Sequence, residues 1–96
     1  MGVQEMNKEK QINEIFNILI QFEKIYEVGS NVTELTYKGY LDRLYVWYTG
    51  YGNIEIANSI HGLEVLGTDA SHDTVKRTVF HIIDVLNKES RDCDAT

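Results

Sequence analysis

Apolar positions near the start of the chain recur every three or four residues. At about 100° per residue they cover roughly half of a helix circumference. Asn7 is suited to cap the start of such a helix and Gly29 to end it. The pattern predicts a well-buried helix over residues 7–27, with one alternative, that an edge of the stripe also meets a second subunit. The apolar positions are Ile12, Ile15, Phe16, Ile18, Leu19, Phe22, Ile25 and Tyr26.

The run Arg43–Thr49 is apolar in both of its alternating positions. It is rich in aromatic and β-branched residues, and the Gly-containing segment Gly50–Asn53 follows it. This combination is typical of a strand that ends in a turn. A strand with one wet face would alternate apolar with polar residues, so we expect both faces of this one to be covered.

Three other short segments have a strand-like composition. Residues 32–37 form the first, and Lys38-Gly39 marks a turn or bulge after it. Residues 53–58 form the next, with Ile54 and Ile56 on one predicted face. Residues 63–66 form either a short fourth strand or an extension of the same hairpin.

A second amphipathic helix is predicted from about Ser71 to Lys88. Ser71 is a suitable N-cap, and Asp73 suits the positive end of the helix. Phe80 and Val85 lie on the flanks of its apolar stripe. The stripe consists of Val75, Val79, Ile82, Ile83 and Leu86.

The order of elements predicts an α+β fold, α-β-β-β(-β)-α, with a meander of three or four antiparallel strands. Short connections place both helices on one face of the sheet. The chain of 96 residues is expected to form a single domain over residues 1–96, with frayed termini at 1–6 and 89–96. Two helices cover only one side, so the other sheet face is expected to be open.

Aromatic residues are concentrated in the predicted strands, and some of them are expected on this open face. Tyr and Trp are enriched at protein interfaces because they bury much area and keep a polar group. Strand propensity alone also favours aromatics, and the alternation leaves open which face is buried. The predicted partner- or dimer-binding residues are Tyr45, Trp47, Tyr40, Tyr51, Glu55 and Leu66.

The charge balance argues against binding to nucleic acids or membranes. The formal net charge is −6, and the few Lys and Arg residues do not form a basic cluster. The same charge fits a soluble protein or an acidic face for a basic partner. No apolar run has the length of a membrane span, no secretion signal is evident, and Cys93 is the single cysteine, so we predict a cytoplasmic protein.

No pattern in the sequence predicts catalysis, a cofactor or a metal site. His72 and His81 lie on opposite sides of the second helix and His61 lies in a predicted loop, so the histidines do not converge. Ser71-His72-Asp73 resembles a triad in composition only, because consecutive residues at a helix start point apart.

We therefore predict a small acidic protein-binding module without enzymatic activity. Its most concrete form is an inhibitor, antitoxin or immunity-type protein of a phage or mobile element, which binds another protein or itself as a homodimer. The alternative is a homodimeric protein that binds or sequesters a small molecule.

Overall fold

The computed structural model of the chain describes residues 7–95. Across this range it contains four α-helices and one short 3₁₀ turn, and it contains no strand. The protein is therefore all-α, and the predicted α+β class with its antiparallel sheet is wrong. The elements are α1 (Lys8–Val28), α2 (Asn31–Tyr51), α3 (Ile54–Leu66), the 3₁₀ turn (Gly67–Asp69) and α4 (His72–Ala95).

The four helices form an up-down-up-down bundle. Each helix packs against the next one along the chain, and α4 closes the bundle against α1. Phe16 of α1 contacts Phe80 of α4, whereas Glu23, further along α1, lies beside His72 at the start of α4. α1 and α4 are therefore antiparallel. This agrees with the three short connections between them, because each short connection reverses the direction of the chain.

The first helix agrees with its prediction. The side chain of Asn7 caps α1 by accepting a hydrogen bond from the backbone N–H of Lys10, at 2.8 Å. Gly29 ends it in the left-handed conformation, with φ of 68°, and donates its N–H to the carbonyl of Ile25. A side chain at Gly29 would be strained by this conformation, which is the reason that Gly makes a good stop signal.

The last helix also agrees, except at its end. The hydroxyl of Ser71 accepts a hydrogen bond from the backbone N–H of Thr74, at 3.1 Å, which is an N-cap. The predicted stripe faces the core, where Val75, Val79 and Ile82 are fully buried. The helix continues past Lys88 to Ala95, and residues 1–6 and 96 of the predicted frayed termini lie outside the described residues.

The central prediction, a strand over Arg43–Thr49, is wrong because this run belongs to α2. The fully or almost fully buried residues of α2 are separated by four, three and four positions, which is the spacing of one helix face. Ser30 caps the helix by accepting from the N–H of Thr33, and Gly52 ends it with φ of 90°. The first predicted strand, 32–37, is wrong for the same reason. The buried residues of α2 that are separated by four, three and four positions are Tyr37, Leu41, Leu44 and Tyr48.

A helix explains why this run is apolar in both alternating positions. Leu44 and Tyr48 point into the core, and Tyr45 and Trp47 are half-buried on its two sides. Val46 points outwards and is exposed. Seven consecutive residues point in every direction around a helix, so an apolar run of this length does not identify a strand.

The predicted strands 53–58 and 63–66 are both part of α3. Asn53 caps this helix by accepting from the N–H of Ile56, at 3.2 Å. Ile54 and Ile56, predicted on one face, differ in the structure, since Ile56 is fully buried and Ile54 is exposed. The buried face follows helical spacing and consists of Ile56, Ala57, Ile60 and Leu63.

Two glycines that we interpreted as turns lie inside α2. Gly39 and Gly50 have ordinary helical backbone angles, and an added Cβ at either would meet no atom within 4 Å. Gly is unfavourable within a helix, but tertiary packing of the opposite face outweighs this cost. One continuous cluster of buried residues joins the four helices, so the open sheet face does not exist.

Candidate functional site

Trp47 and Tyr51 form a stacked aromatic pair at the end of α2. Their ring centroids are 4.9 Å apart and the ring planes differ by 11°. Trp47 also meets the fully buried ring of Tyr48 edge-on, with centroids 4.8 Å apart and planes at 87°. The pair is therefore anchored to the core on one side, while Tyr51 remains 48 % exposed on the other.

The helix itself aligns the two rings. Residues separated by four positions lie on the same face of a helix, one turn apart. Gly50 leaves the space beside the rings open, because it has no side chain there. Together with Val46, these residues line a shallow pocket of about 250 Å³, which we call the aromatic patch: Val46, Trp47, Gly50 and Tyr51.

The patch lies at the C-terminal end of α2, where the helix dipole places a partial negative charge. The last turn of α2 contains no basic residue. The final carbonyl groups of a helix carry a partial negative charge, which a Lys or Arg in that turn usually compensates. The patch thus combines exposed aromatic surface with a helix end that has no basic side chain, in a chain with net charge −6.

Two other predicted site residues lie elsewhere on α2. The ring of Tyr40 is buried against α1, and its hydroxyl donates a hydrogen bond to the carbonyl of Glu14 at 2.7 Å. Tyr45 lies on the opposite side of the helix, where its ring contacts that of His61 on α3 with centroids 5.4 Å apart. Tyr40 therefore contacts α1, and Tyr45 contacts α3, within the bundle.

The remaining two predicted residues lie on α3, at its opposite ends. Glu55 lies beside His81 of α4, with an Oε2–Nε2 distance of 3.5 Å. Leu66 is partly exposed and borders a groove of about 320 Å³ between α3 and α4. Of the six predicted residues, the structure therefore brings together Trp47 and Tyr51 only.

A polar groove between α1 and α2 was not predicted from the sequence. It has a volume of about 500 Å³, and the residues that line it include Gln21, Thr36, Gly39 and Arg43. The side-chain oxygen of Gln21 is buried and has no hydrogen-bond partner among the described residues. Helical spacing in α1 and α2 could have indicated this groove, but the strand interpretation of α2 concealed it.

Two carboxylates also approach each other across α2 and α3. Partial burial of Glu64 raises the pKa of its carboxyl, and the negative charge of Asp42 raises it further. His61, with Nδ1 3.8 Å from Oε1 of Glu64, lowers the pKa of this carboxyl. This proximity depends on the helix pairing and gives no signal in the sequence.

No family model, curated protein or solved structure matches the chain. Among the helices that the structure describes, none is long and apolar enough to cross a membrane. Within the same residues, no three His, Cys, Asp or Glu side chains come together as a metal site.

Proposed function

We propose that the protein is a non-catalytic protein-binding module that binds a basic partner through the aromatic patch. The observation that carries this proposal is the stacked pair of Trp47 and Tyr51, which is half-exposed and anchored to the core by Tyr48. An inhibitor, antitoxin or immunity-type protein is the most concrete form of such a module.

The physical basis is that a rigid aromatic pair binds at low entropic cost. Trp and Tyr have few rotatable bonds, and mutual stacking restricts those of Trp47 and Tyr51 before a partner arrives. The pocket above Gly50 can accept one apolar side chain of the partner. Residues of this kind dominate the binding energy of many interfaces.

A basic partner is favoured by charge. The chain carries −6 overall, and the last turn of α2 has no cation of its own. An arginine of the partner could stack on the exposed ring and lie close to the final carbonyl groups of the helix. Charge complementarity of this kind mainly increases the rate of association and the specificity.

The non-catalytic part of the proposal rests on the arrangement of the histidines. Each of them lies beside one glutamate, at three separate places in the bundle, so they do not form a joint acid–base set. The pairs are His61 with Glu64, His72 with Glu23 and His81 with Glu55.

The test compares a patch variant with a matched control. The purified partner, first captured from the producing cells with the wild-type chain, is titrated against W47A/Y51A and against V65A/L66A. The control removes two exposed apolar side chains at the end of α3, away from the patch. We expect the patch variant to raise the Kd by at least about thirtyfold and the control to leave it unchanged.

Two measurements make this test decisive. Far-ultraviolet circular dichroism establishes that both variants remain helical, and a titration at higher salt measures the electrostatic contribution. Binding to a basic partner weakens as salt increases. Equal affinities of the folded patch variant and the wild type would exclude the aromatic patch as the binding surface.

A second candidate function is the binding of a small polar molecule in the groove between α1 and α2. The polar lining of the groove favours it, because Gln21, Thr36 and Arg43 offer hydrogen-bonding groups to a ligand. Mass spectrometry of the protein purified under native conditions tests this candidate. A co-purifying metabolite that is lost in Q21L would support it, and its retention would contradict it.

A further inference from the structure

The outer face of α2 carries an exposed ridge that the bundle does not use. Val32, Leu35 and Val46 are 70 %, 68 % and 60 % exposed. Gly39 and Asp42 lie between them on the same face and are also exposed. We name this surface the α2 ridge, and it consists of Val32, Leu35, Gly39, Asp42, Val46 and Thr49.

We propose that two copies of the chain associate along this ridge, with their α2 helices antiparallel. Successive ridge positions are three, four, three, four and three residues apart. This series reads the same in both directions. An antiparallel pair of identical helices can therefore match every ridge position at once, as a two-fold axis requires.

Two apolar residues of the ridge, Leu35 and Val46, match in this register, whereas Val32 faces Thr49. When Leu35 of one copy faces Val46 of the second copy, the same contact is repeated on the other side of the two-fold axis. Both side chains are mostly exposed in the single chain and would lose water on association. The contact thus buries four apolar side chains at two symmetric positions.

Two of the exposed charged residues, Lys38 and Asp42, match in the same register. Lys38 and Asp42 lie one turn apart on α2 and are both exposed, and neither has an ion-pair partner within the described residues. The register that pairs Leu35 with Val46 brings Lys38 of each copy next to Asp42 of the other. Two reciprocal ion pairs would then flank the axis, and a shifted or parallel register would lose them.

Gly39 permits close approach at the centre of this contact. It faces Asp42 of the second copy in the proposed register, and no atom lies within 4 Å of the position of its missing Cβ. Gly is unfavourable inside a helix, and packing within the single chain gives no reason for it here. Close approach of a second backbone gives one, because a larger side chain would hold the helices apart.

A second copy is favoured over a foreign partner because the ridge is complementary to itself. Leu35 and Val46 exchange under the two-fold operation, and Lys38, which flanks the ridge, comes next to Asp42 of the second copy. The ridge overlaps the aromatic patch only at Val46, and the arguments for the dimer involve neither Trp47 nor Tyr51. Val46 belongs to both surfaces, so it is left unchanged in the tests of each.

The test reverses the charges of Lys38 and Asp42, singly and together. Sedimentation equilibrium of the full chain over a range of concentrations measures the dimer Kd of each variant. We expect the wild type to be a dimer at the higher concentrations. The single variants K38E and D42K each place like charges in contact and should raise the dimer Kd at least tenfold. The double variant K38E/D42K restores opposite charges and should return the Kd to within about threefold of the wild type.

A matched control changes a lysine outside the ridge. Lys24 is exposed on α1, and K24E makes the same change of net charge as K38E, so it should leave the dimer intact. Circular dichroism establishes that each variant is folded. A wild type that is monomeric at all concentrations, or a double variant that dimerises no better than the single ones, would overturn the inference, and neither result concerns binding at the aromatic patch.

Discussion

The hydroxyl of Tyr40 donates a hydrogen bond to the backbone carbonyl of Glu14 at 2.7 Å and also lies 2.5 Å from its carboxylate. This contact joins α2 to α1 close to the edge of the core. Tyr37, one turn earlier on α2, differs from Tyr40 in the environment of its hydroxyl. Its ring is fully buried, and its hydroxyl has no hydrogen-bond partner among the described residues.

The two tyrosines should respond in opposite directions to the loss of the hydroxyl. Y40F removes a satisfied interhelical hydrogen bond and should lower the free energy of unfolding by about 1.5 kcal/mol. Y37F removes a buried group without a partner, so it should leave stability unchanged or raise it by about 1 kcal/mol. Urea denaturation with equal m-values measures both, and a loss of stability in Y37F equal to that in Y40F would contradict the assignment.

Stability should decrease in alkaline solution because of the same two residues. Burial raises the pKa of both tyrosines, and the hydrogen bond to Glu14 raises the pKa of Tyr40 further. In the unfolded chain a tyrosine loses its proton near pH 10, whereas the folded chain retains it to higher pH. The contribution is therefore complete below about pH 10 and is lost as pH rises towards the folded-state pKa values.

Above pH 10 the free energy of unfolding should fall by about 2.7 kcal/mol per pH unit from these two groups. The control is Y37F, which retains Tyr40 and should show a slope smaller by about 1.4 kcal/mol per pH unit. Denaturation midpoints at several pH values measure both slopes. Equal slopes for the wild type and Y37F would show that Tyr37 ionises alike in both states.

The first and last helices could be predicted because their apolar and polar positions are separated. In α2 and α3 that separation is weak. Val46 and Ile54 are apolar and exposed, while Gly39 and Gly50 resemble turn signals. Strand propensity then favoured a sheet, although the buried spacing of Tyr37, Leu41, Leu44 and Tyr48 was present in the sequence.

The candidate site was predictable only in part. Trp47 and Tyr51 lie together because positions four residues apart share a helix face, whereas the sequence had suggested them by aromatic type alone. Tyr45 and Trp47 would share a strand face but point to different neighbours on a helix, towards α3 and towards the side of Tyr51. The direction of each side chain depends on whether it lies on a helix or on a strand. The wrong prediction of strands in α2 and α3 therefore changed the expected direction of the predicted site residues.

Gly62 within α3 and Gly29 at the end of α1 provide a test of backbone conformation. Gly62 is exposed within α3 and has open space around it, so G62A should raise the free energy of unfolding by about 0.5–1 kcal/mol. Gly29 has a positive φ, and G29A should instead lower stability by about 1 kcal/mol. Thermal unfolding measures both, and destabilisation by G62A would indicate a turn at this position.

Leu63 and Val65 give the most direct test of helix against strand. Two positions apart, they would share one face of the strand first predicted at 63–66, and truncation of either would then have a similar effect. On α3 they point to nearly opposite sides, and Leu63 is 1 % exposed whereas Val65 is 72 % exposed.

We therefore expect L63A to lower the free energy of unfolding by about 2–5 kcal/mol, because it leaves a cavity in the core. V65A should change it by less than about 0.5 kcal/mol, since its side chain is already in water. If L63A fails to fold, L63V provides a smaller truncation at the same position, with the same expected order relative to V65A. Similar losses in both variants would contradict the helix, because only an element with a repeat of two places these side chains in the same environment.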